Sequence, residues 1–236
     1  TEEMRSSLLS AVSHDLRTPL ASITGAATSL RDDAQLPAET RGELVESIVG
    51  EAERLERLVH NLLDMTRLES GAMALHLDWV PLDEVIGSAL TRLETRLADR
   101  SVKVSIAADV PLVLVDPVLL EQVFVNLLEN AEKYTPRASP IEVHVHREGD
   151  RVEIEVSDRG PGLPPGAETQ VFEKFFRGPH QGVSGAGLGL PICKGIVEAH
   201  GGAIRARNRP EGGATFHIVI PSGGTPPSMA PPGGDP

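Results

Sequence analysis

From residue 2 to residue 30 the apolar side chains fall in register. Leu9, Leu16, Ile23 and Leu30 recur every seven positions, with Val12, Pro19 and Ala26 interleaved three positions on. This is an a/d seam, the pattern of a helix that lies against another. After the polar break RDDAQLPAET a second seam follows. It has Ile48, Leu55 and Leu62 in one register and Leu44, Leu58 and Met65 in the other, and ends at Ser70 and Gly71, residues that stop helices. Two long helices joined by a short loop predict a hairpin over residues 1–70. Leu8, Leu20, Val45, Val59 and Leu63 widen the apolar stripe beyond what one antiparallel neighbour covers, as in four-helix bundles, so a homodimer of hairpins is expected.

From about Leu75 the period changes. Alternation of apolar and polar positions predicts half-buried antiparallel strands over 102–110, 141–147, 151–158 and 214–220. Helical spacing fits 82–100, 117–134 and 191–200. Together they predict an α+β layer over 71–221, a sheet with helices on one face. The closing stretch SGGTPPSMAPPGGDP offers one methionine as its only sizeable apolar side chain. It cannot repay its ordering entropy, so 222–236 is expected to be a disordered tail.

Composition narrows the partners. A chain of 236 residues suits two domains of ordinary size. Its net charge of -12 favours neither nucleic acid nor an anionic membrane surface, so no nucleic-acid partner is expected and a phosphate-bearing ligand must be met by a local arrangement. The single cysteine, Cys193, cannot form an internal disulfide, which fits a reducing, cytosolic compartment. No apolar run approaches the roughly 18 to 20 residues of a membrane span. The start TEEMRSSLL is neither a signal nor a transit peptide, and reads as the middle of something longer.

Within SHDLRTPL, placing Leu9 at position a puts His14 at f, Asp15 at g and Thr18 at c, so His14 should face away from the seam. On periodicity alone a surface histidine without chemistry is the commoner outcome. The adjacent carboxylate shifts that weighing: it can fix the ring tautomer, leaving the other nitrogen free as a nucleophile, and take the ring proton during attack. Pro19 removes a helical hydrogen bond and predicts a bend near His14, with a tolerated kink as the plainer alternative.

In the second half, DRGPG (158–162), GAGLGL (185–190) and EGGATF (211–216) let backbone amides approach phosphate oxygens, and a helix beginning near Leu188 adds its positive N-terminus. GAGLGL lacks both the P-loop lysine and the dinucleotide spacing, so neither common nucleotide fold is supported. Asn126, Asn130, Lys133 and Tyr134 share one face of the 117–134 helix, opposite Val123, Leu127 and Leu128. An amide oxygen suits Mg²⁺ bridging phosphates and a lysine offsets their charge. A solvated face is the bland alternative, and asparagine in a helix interior disfavours it. His144 and His146 share a strand face, but alternation with Val143 and Val145 favours a solvated outer face over a metal pair. Trp79 and Phe124 read as core, Cys193 as a small buried residue, and GELVESIVGEAERLER as the wet side of the second helix.

Five motifs now stand in order: SHDLRTPL (13–20), NLLENAEKYT (126–135), DRGPG (158–162), FEKFFR (172–177) and GAGLGL (185–190). In these residues the sequence resembles the catalytic core of bacterial two-component sensor histidine kinases, over residues 2–221. The stretches LLSAVSHDLRTPLASI, WVPLDEVIGSAL and GIVEAHGG are similar to the potassium-responsive Kdp-system sensors. The resemblance implies a helical hairpin that dimerises into a four-helix bundle, followed by a Bergerat-type (GHKL) α/β sandwich that binds ATP. It implies that His14 accepts the γ-phosphoryl group, that Asp15 is its general base, and that Thr18 positions water for dephosphorylating a response regulator. It further implies Mg²⁺ on Asn130 and a hydrogen bond from Asp158 to the adenine amino group. Asn126, Lys133 and Tyr134 would line the nucleotide site, and Arg177 would approach the transferred phosphate. Gly160, Gly162, Gly185, Gly187 and Gly189 would shape a lid, with Leu188 at the start of the next helix. The implied partners are a response-regulator receiver domain and a second copy of the chain. The implied location is the cytoplasmic portion of a membrane-anchored protein whose sensing region lies outside this chain. ATP-hydrolysing relatives of the fold carry a glutamate base where Asn126 stands; an amide cannot take a proton from water, so transfer to histidine is favoured over hydrolysis. Ala186 replaces a frequent threonine, and Pro191 stands where Ala or Ser is common, a place in the first helical turn that proline tolerates.

Overall fold

In the computed structural model, residues 2–33, 35–70, 73–176, 178 and 187–224 are described, the side chains of 2–15 and 69 excepted. Helices α1 (Glu2–Asp32) and α2 (Ala38–Glu69) pack against each other as the hairpin. The expected bend at Pro19 does not interrupt α1, which continues through it as one helix. Pro19 and Ala26 are buried in the seam, whereas Leu20, Val45, Val49, Val59 and Leu63 stay between 45% and 52% exposed. The stripe is wider than one neighbour, as its sequence predicts.

The rest of the chain is built on a five-stranded sheet ordered β2-β4-β5-β7-β6. Its strands are β2 (Val102–Ile106), β4 (Ile141–Glu148), β5 (Arg151–Ser157), β6 (Ala203–Asn208) and β7 (Ala214–Pro221). A two-stranded ribbon of β1 (Asp78–Val80) and β3 (Val113–Val115) lies apart from it. Strand pairs β4–β5, β5–β7 and β7–β6 are antiparallel. The strand expected over 102–110 departs from its prediction twice. It ends at Ile106, and it runs parallel to β4, Val102 opposite Ile141. The chain between them crosses over through α5 (Pro117–Tyr134), a connection that delivers a parallel neighbour.

The helix expected over 82–100 is in fact two, α3 (Leu82–Arg92) and the single turn α4 (Glu94–Leu97). At the junction the Leu93 N–H is shared between the Ala89 and Leu90 carbonyls, the tightening common at helix ends. Strand β6 has no counterpart in the sequence reading: its buried apolar positions are only Ile204 and Ala206, which alternate with Arg205 and Arg207. Helices α3, α5 and α6 (Gly189–Ala199) share one core with the inner sheet face, where Phe124, Leu120, Ile192, Ile154 and Ile218 are fully buried. Trp79 is only half-buried. The other face is polar: His144 and His146 are exposed, as the alternation predicts, and Arg207 pairs with Glu155 at 2.6 Å. The unit runs past residue 221. Ser222 is buried, donates to the Asp150 carbonyl and accepts from the Leu114 N–H. The remainder of the expected tail, 225–236, lies outside the described residues.

Candidate nucleotide site

The platform of the site is α5, and both its ends are tied. Asp116 caps the N-terminus, its carboxylate accepting from the Val118 and Leu119 N–H groups at 3.1 Å, with Pro117 in the first turn. The same carboxylate accepts from the His76 N–H at 2.9 Å. The Asp116 N–H donates to His200 Nε2 (2.9 Å), and the other ring nitrogen donates to the Ile196 carbonyl (2.8 Å). That pair of bonds requires the neutral ring and joins the start of α5 to the end of α6. At the far end Arg100 donates to the carbonyls of Glu132, Thr135 and Pro136, covering carbonyls a helix end leaves bare.

Along this platform opens a cavity of about 540 Å³. Asn126, Asn130, Lys133 and Tyr134 line it, as do Asp158, Gly162, Gly187, Leu188 and Gly189. Asn126 is 91% buried, and its amide nitrogen meets no oxygen or nitrogen partner among the described residues. Its neighbour there is Cys193, whose sulfur is a poor acceptor. Burial pushes the Cys193 thiol up to about 12, against a smaller opposing pull from Asn126, so the group stays a neutral packing residue. A buried donor left unmade is costly, and at Asn126, which lines the cavity, a polar ligand would repay it. The Thr135 hydroxyl is a second buried polar group without a hydrogen-bond partner among the described residues, but it does not line the cavity. Lys133 places its Nζ 5.4 Å from the Tyr134 ring centre, a cation–π distance.

At the sheet end Asp158 is buried, and one carboxylate oxygen accepts from the Gly160 N–H at 2.7 Å and the Ala214 N–H at 3.3 Å. Gly213, with φ of +92°, passes so close that a Cβ there would lie 2.1 Å from the Asp158 carbonyl oxygen. No side chain fits. At the other end Gly187 abuts the FEKFFR segment. Its carbonyl accepts from the Phe175 N–H at 3.0 Å, and a Cβ would sit 2.8 Å from the Phe176 oxygen. Phe175 has φ of 63°, the only non-glycine in the left-handed region among the described residues, a strained conformation that its surroundings must hold. The N-terminus of α6 opens beside Asn126, Gly189 lying 3.7 Å by its would-be Cβ from the amide. A helix start of this length favours anions.

The structure therefore gathers nine of the predicted positions around one space, with Gly160 held beside them by Asp158. Thr18 stands apart, exposed on α1. The side chains of His14 and Asp15, and the residues Arg177 and Gly185, lie outside the described residues. Thr135 and Gly213 were missed by the sequence reading, although both sit inside motifs it quoted. The larger correction concerns α2. Arg54 and Arg57, from the stretch read as a wet face, line the cavity together with the seam residue Leu58 and with Asn61, and Arg96 and Glu129 join them. Their spacing is helical, but a polar face turned to a polar cavity has the same pattern as one turned to water.

Residues 4–71 match the family described as His Kinase A (phospho-acceptor) domain, and 115–224 match Histidine kinase-, DNA gyrase B-, and HSP90-like ATPase. A structure of the mycobacterial sensor histidine kinase MprB is 33% identical, with a TM-score of 0.56 over 62% of this chain and 98% of that one. The chain belongs to the sensor histidine kinases. Within that family it is similar to Sensor protein KdpD of Escherichia coli strain K12, 45% identical over 93% of this chain and 25% of that protein. It thus spans about a quarter of the length of the KdpD relatives it matches. The histidine kinase ThkA, solved in complex with the response regulator protein TrrA, is 25% identical with a TM-score of 0.69, over 94% of this chain and 64% of that one. As a sensor histidine kinase it pairs a phospho-acceptor hairpin with a GHKL α/β domain. Among the described residues no helix is long and apolar enough to cross a membrane.

Proposed function

We propose that this chain is a protein-histidine kinase core. It moves the γ-phosphoryl group of Mg-ATP to His14 and then to an aspartate on a response-regulator receiver domain. The observation that carries the reading is the buried Asn126 amide nitrogen, which meets no oxygen or nitrogen partner among the described residues and lines a cavity with Asn130, Lys133, Asp158 and the start of α6. Asp158 accepts from the adenine amino group and so selects the base. Lys133 and Tyr134 sit against the nucleotide, and the glycines at 160, 162, 185, 187 and 189 shape the lid around it. Among the described residues no group of three His, Cys, Asp or Glu gathers as a metal cage. One amide oxygen, that of Asn130, fits an ion held chiefly by substrate phosphates and water. Mg²⁺ there supplies charge neutralisation to the phosphates. Asp15 takes the ring proton as the His14 nitrogen forms its bond to phosphorus and the bond to ADP breaks, with Arg177 near the phosphate in transit.

Thr18, exposed on α1, orients the water that removes phosphate from the regulator. The exposed apolar residues of the hairpin support a homodimer through a four-helix bundle. The likeness to ThkA, solved with TrrA, supports a receiver-domain partner. The likeness to KdpD proteins supports a cytoplasmic core of a membrane-anchored sensor responsive to potassium. The test is incubation with Mg-[γ-³²P]ATP. Acid-labile, base-stable label is expected on the protein and none on His14→Gln. Asp15→Asn should lower the labelling rate ~10²- to 10⁴-fold, the usual worth of a positioned base. Equal label on wild type and His14→Gln would contradict the reading.

A further inference from the structure

One face of α2 seats the second half of the molecule. At its C-terminal end the Gln122 amide donates to Asp64 at 2.7 Å, and Leu68 presses on Gly195 of α6, where a Cβ would come within 2.6 Å of its side chain. Farther back on the same face Arg57 and Arg54 reach the cavity that α5 lines with Asn130 and Lys133. Measured from the Asp64–Gln122 contact at 1.5 Å per residue, Arg54 along α2 and Lys133 along α5 stand about 15 Å and about 17 Å away. The docked end therefore fixes which rung of α2 overlooks the cavity.

From this placement we infer that Arg54 and Arg57 belong to the nucleotide site. The hairpin supplies two cations to the phosphates of a bound nucleoside triphosphate, so binding ATP and docking α2 stabilise each other. The inference rests on the nucleotide reading above. Both arginines are only partly exposed, and each pairs with a carboxylate of its own helix, Arg54 with Glu51 at 3.3 Å and Arg57 with Glu53 at 3.9 Å. A bound phosphate would compete with those carboxylates for each guanidinium, whose planar fork of N–H donors matches phosphate oxygens. Positive charge counts here: the chain carries -12 overall, and Arg96, which also lines the cavity, is already ion-paired with Glu129. By linkage, a movement of α2 that withdraws the arginines lowers ATP affinity as much as ATP resists that movement.

The experiment measures binding of ATP and of adenosine, with Mg²⁺, to the whole chain by calorimetry. Arg54→Gln with Arg57→Gln should weaken ATP about tenfold, the scale of two partly exposed ion pairs, and leave adenosine unchanged. Arg54→Lys with Arg57→Lys should keep most of the ATP affinity. Gly195→Leu, which wedges Leu68 away, should weaken ATP to the same degree, and combining it with the glutamine pair should add nothing, because both remove one interaction. Unaltered ATP binding in the glutamine pair, alongside loss of ATP in Asp158→Asn, would overturn the inference and leave the nucleotide reading standing. Adenosine lost together with ATP in the glutamine pair would also overturn it, since the effect would not be on phosphates. Failure of the wild type to bind either ligand would sink both readings.

Discussion

The two halves of the chain treat apolar surface in opposite ways. The sheet unit closes on itself: three helices cover one face, and Phe124, Leu120, Ile192 and Ile218 are fully buried between the layers. The hairpin cannot do this, and five of its large apolar residues remain about half exposed. A pair of helices offers each stripe one neighbour, and a stripe this wide needs two. One half is thus a finished core, and the other leaves part of its apolar stripe uncovered. Mutations should separate them.

The largest effect belongs to the closed half. Phe124→Ala removes a ring with no solvent exposure and should destabilise the sheet unit by about 3–5 kcal/mol, read as a lower urea midpoint for the transition of that unit. In the open half the same kind of truncation should act elsewhere. Val59→Ser with Leu63→Ser should leave the sheet-unit transition unmoved but raise the dissociation constant of the proposed dimer, by roughly 1–2 kcal/mol or about tenfold, in analytical ultracentrifugation. If these serines lower the urea midpoint of the sheet unit instead, the contrast between halves fails.

The smallest effect is electrostatic. A hydrogen bond from Arg209, at 3.0 Å, holds the Glu142 carboxyl below the usual glutamate range, with burial opposing it. A lowered folded-state value stabilises the protein above the unfolded glutamate value, and that stability is lost as pH falls through the lowered one. Glu142→Gln should therefore be less stable than wild type at neutral pH and equal to it once the carboxyl is protonated in acid. A deficit of the same size at both pH values would assign the effect to packing.

The elements legible in the sequence were those whose signal is local. The a/d seam announced the hairpin, and the spacing of Asn126, Asn130, Lys133 and Tyr134 announced the lined face of α5, because one helix carries the whole pattern. What stayed hidden depended on distant partners. The parallel pairing of β2 is decided by a crossover, not by VKVSI itself. The strand AIRARN shows arginines on its outer face and only Ile204 and Ala206 on its inner one, too little apolar contrast to register. Arg54 and Arg57 read as solvated because a sequence shows that a face is polar without showing what it faces. Thr135, sealed behind the loop at Gly160, carries no pattern at all.

Transfer of a phosphoryl group from this cavity to the histidine of the hairpin can be read by mapping phosphopeptides by mass spectrometry after incubation with Mg-ATP, under alkaline conditions. The phosphate is expected on His14, and absent from Asp158→Asn, whose proposed adenine contact is lost. Phosphate found on another residue, or no phosphopeptide from a protein that demonstrably binds ATP, would contradict it.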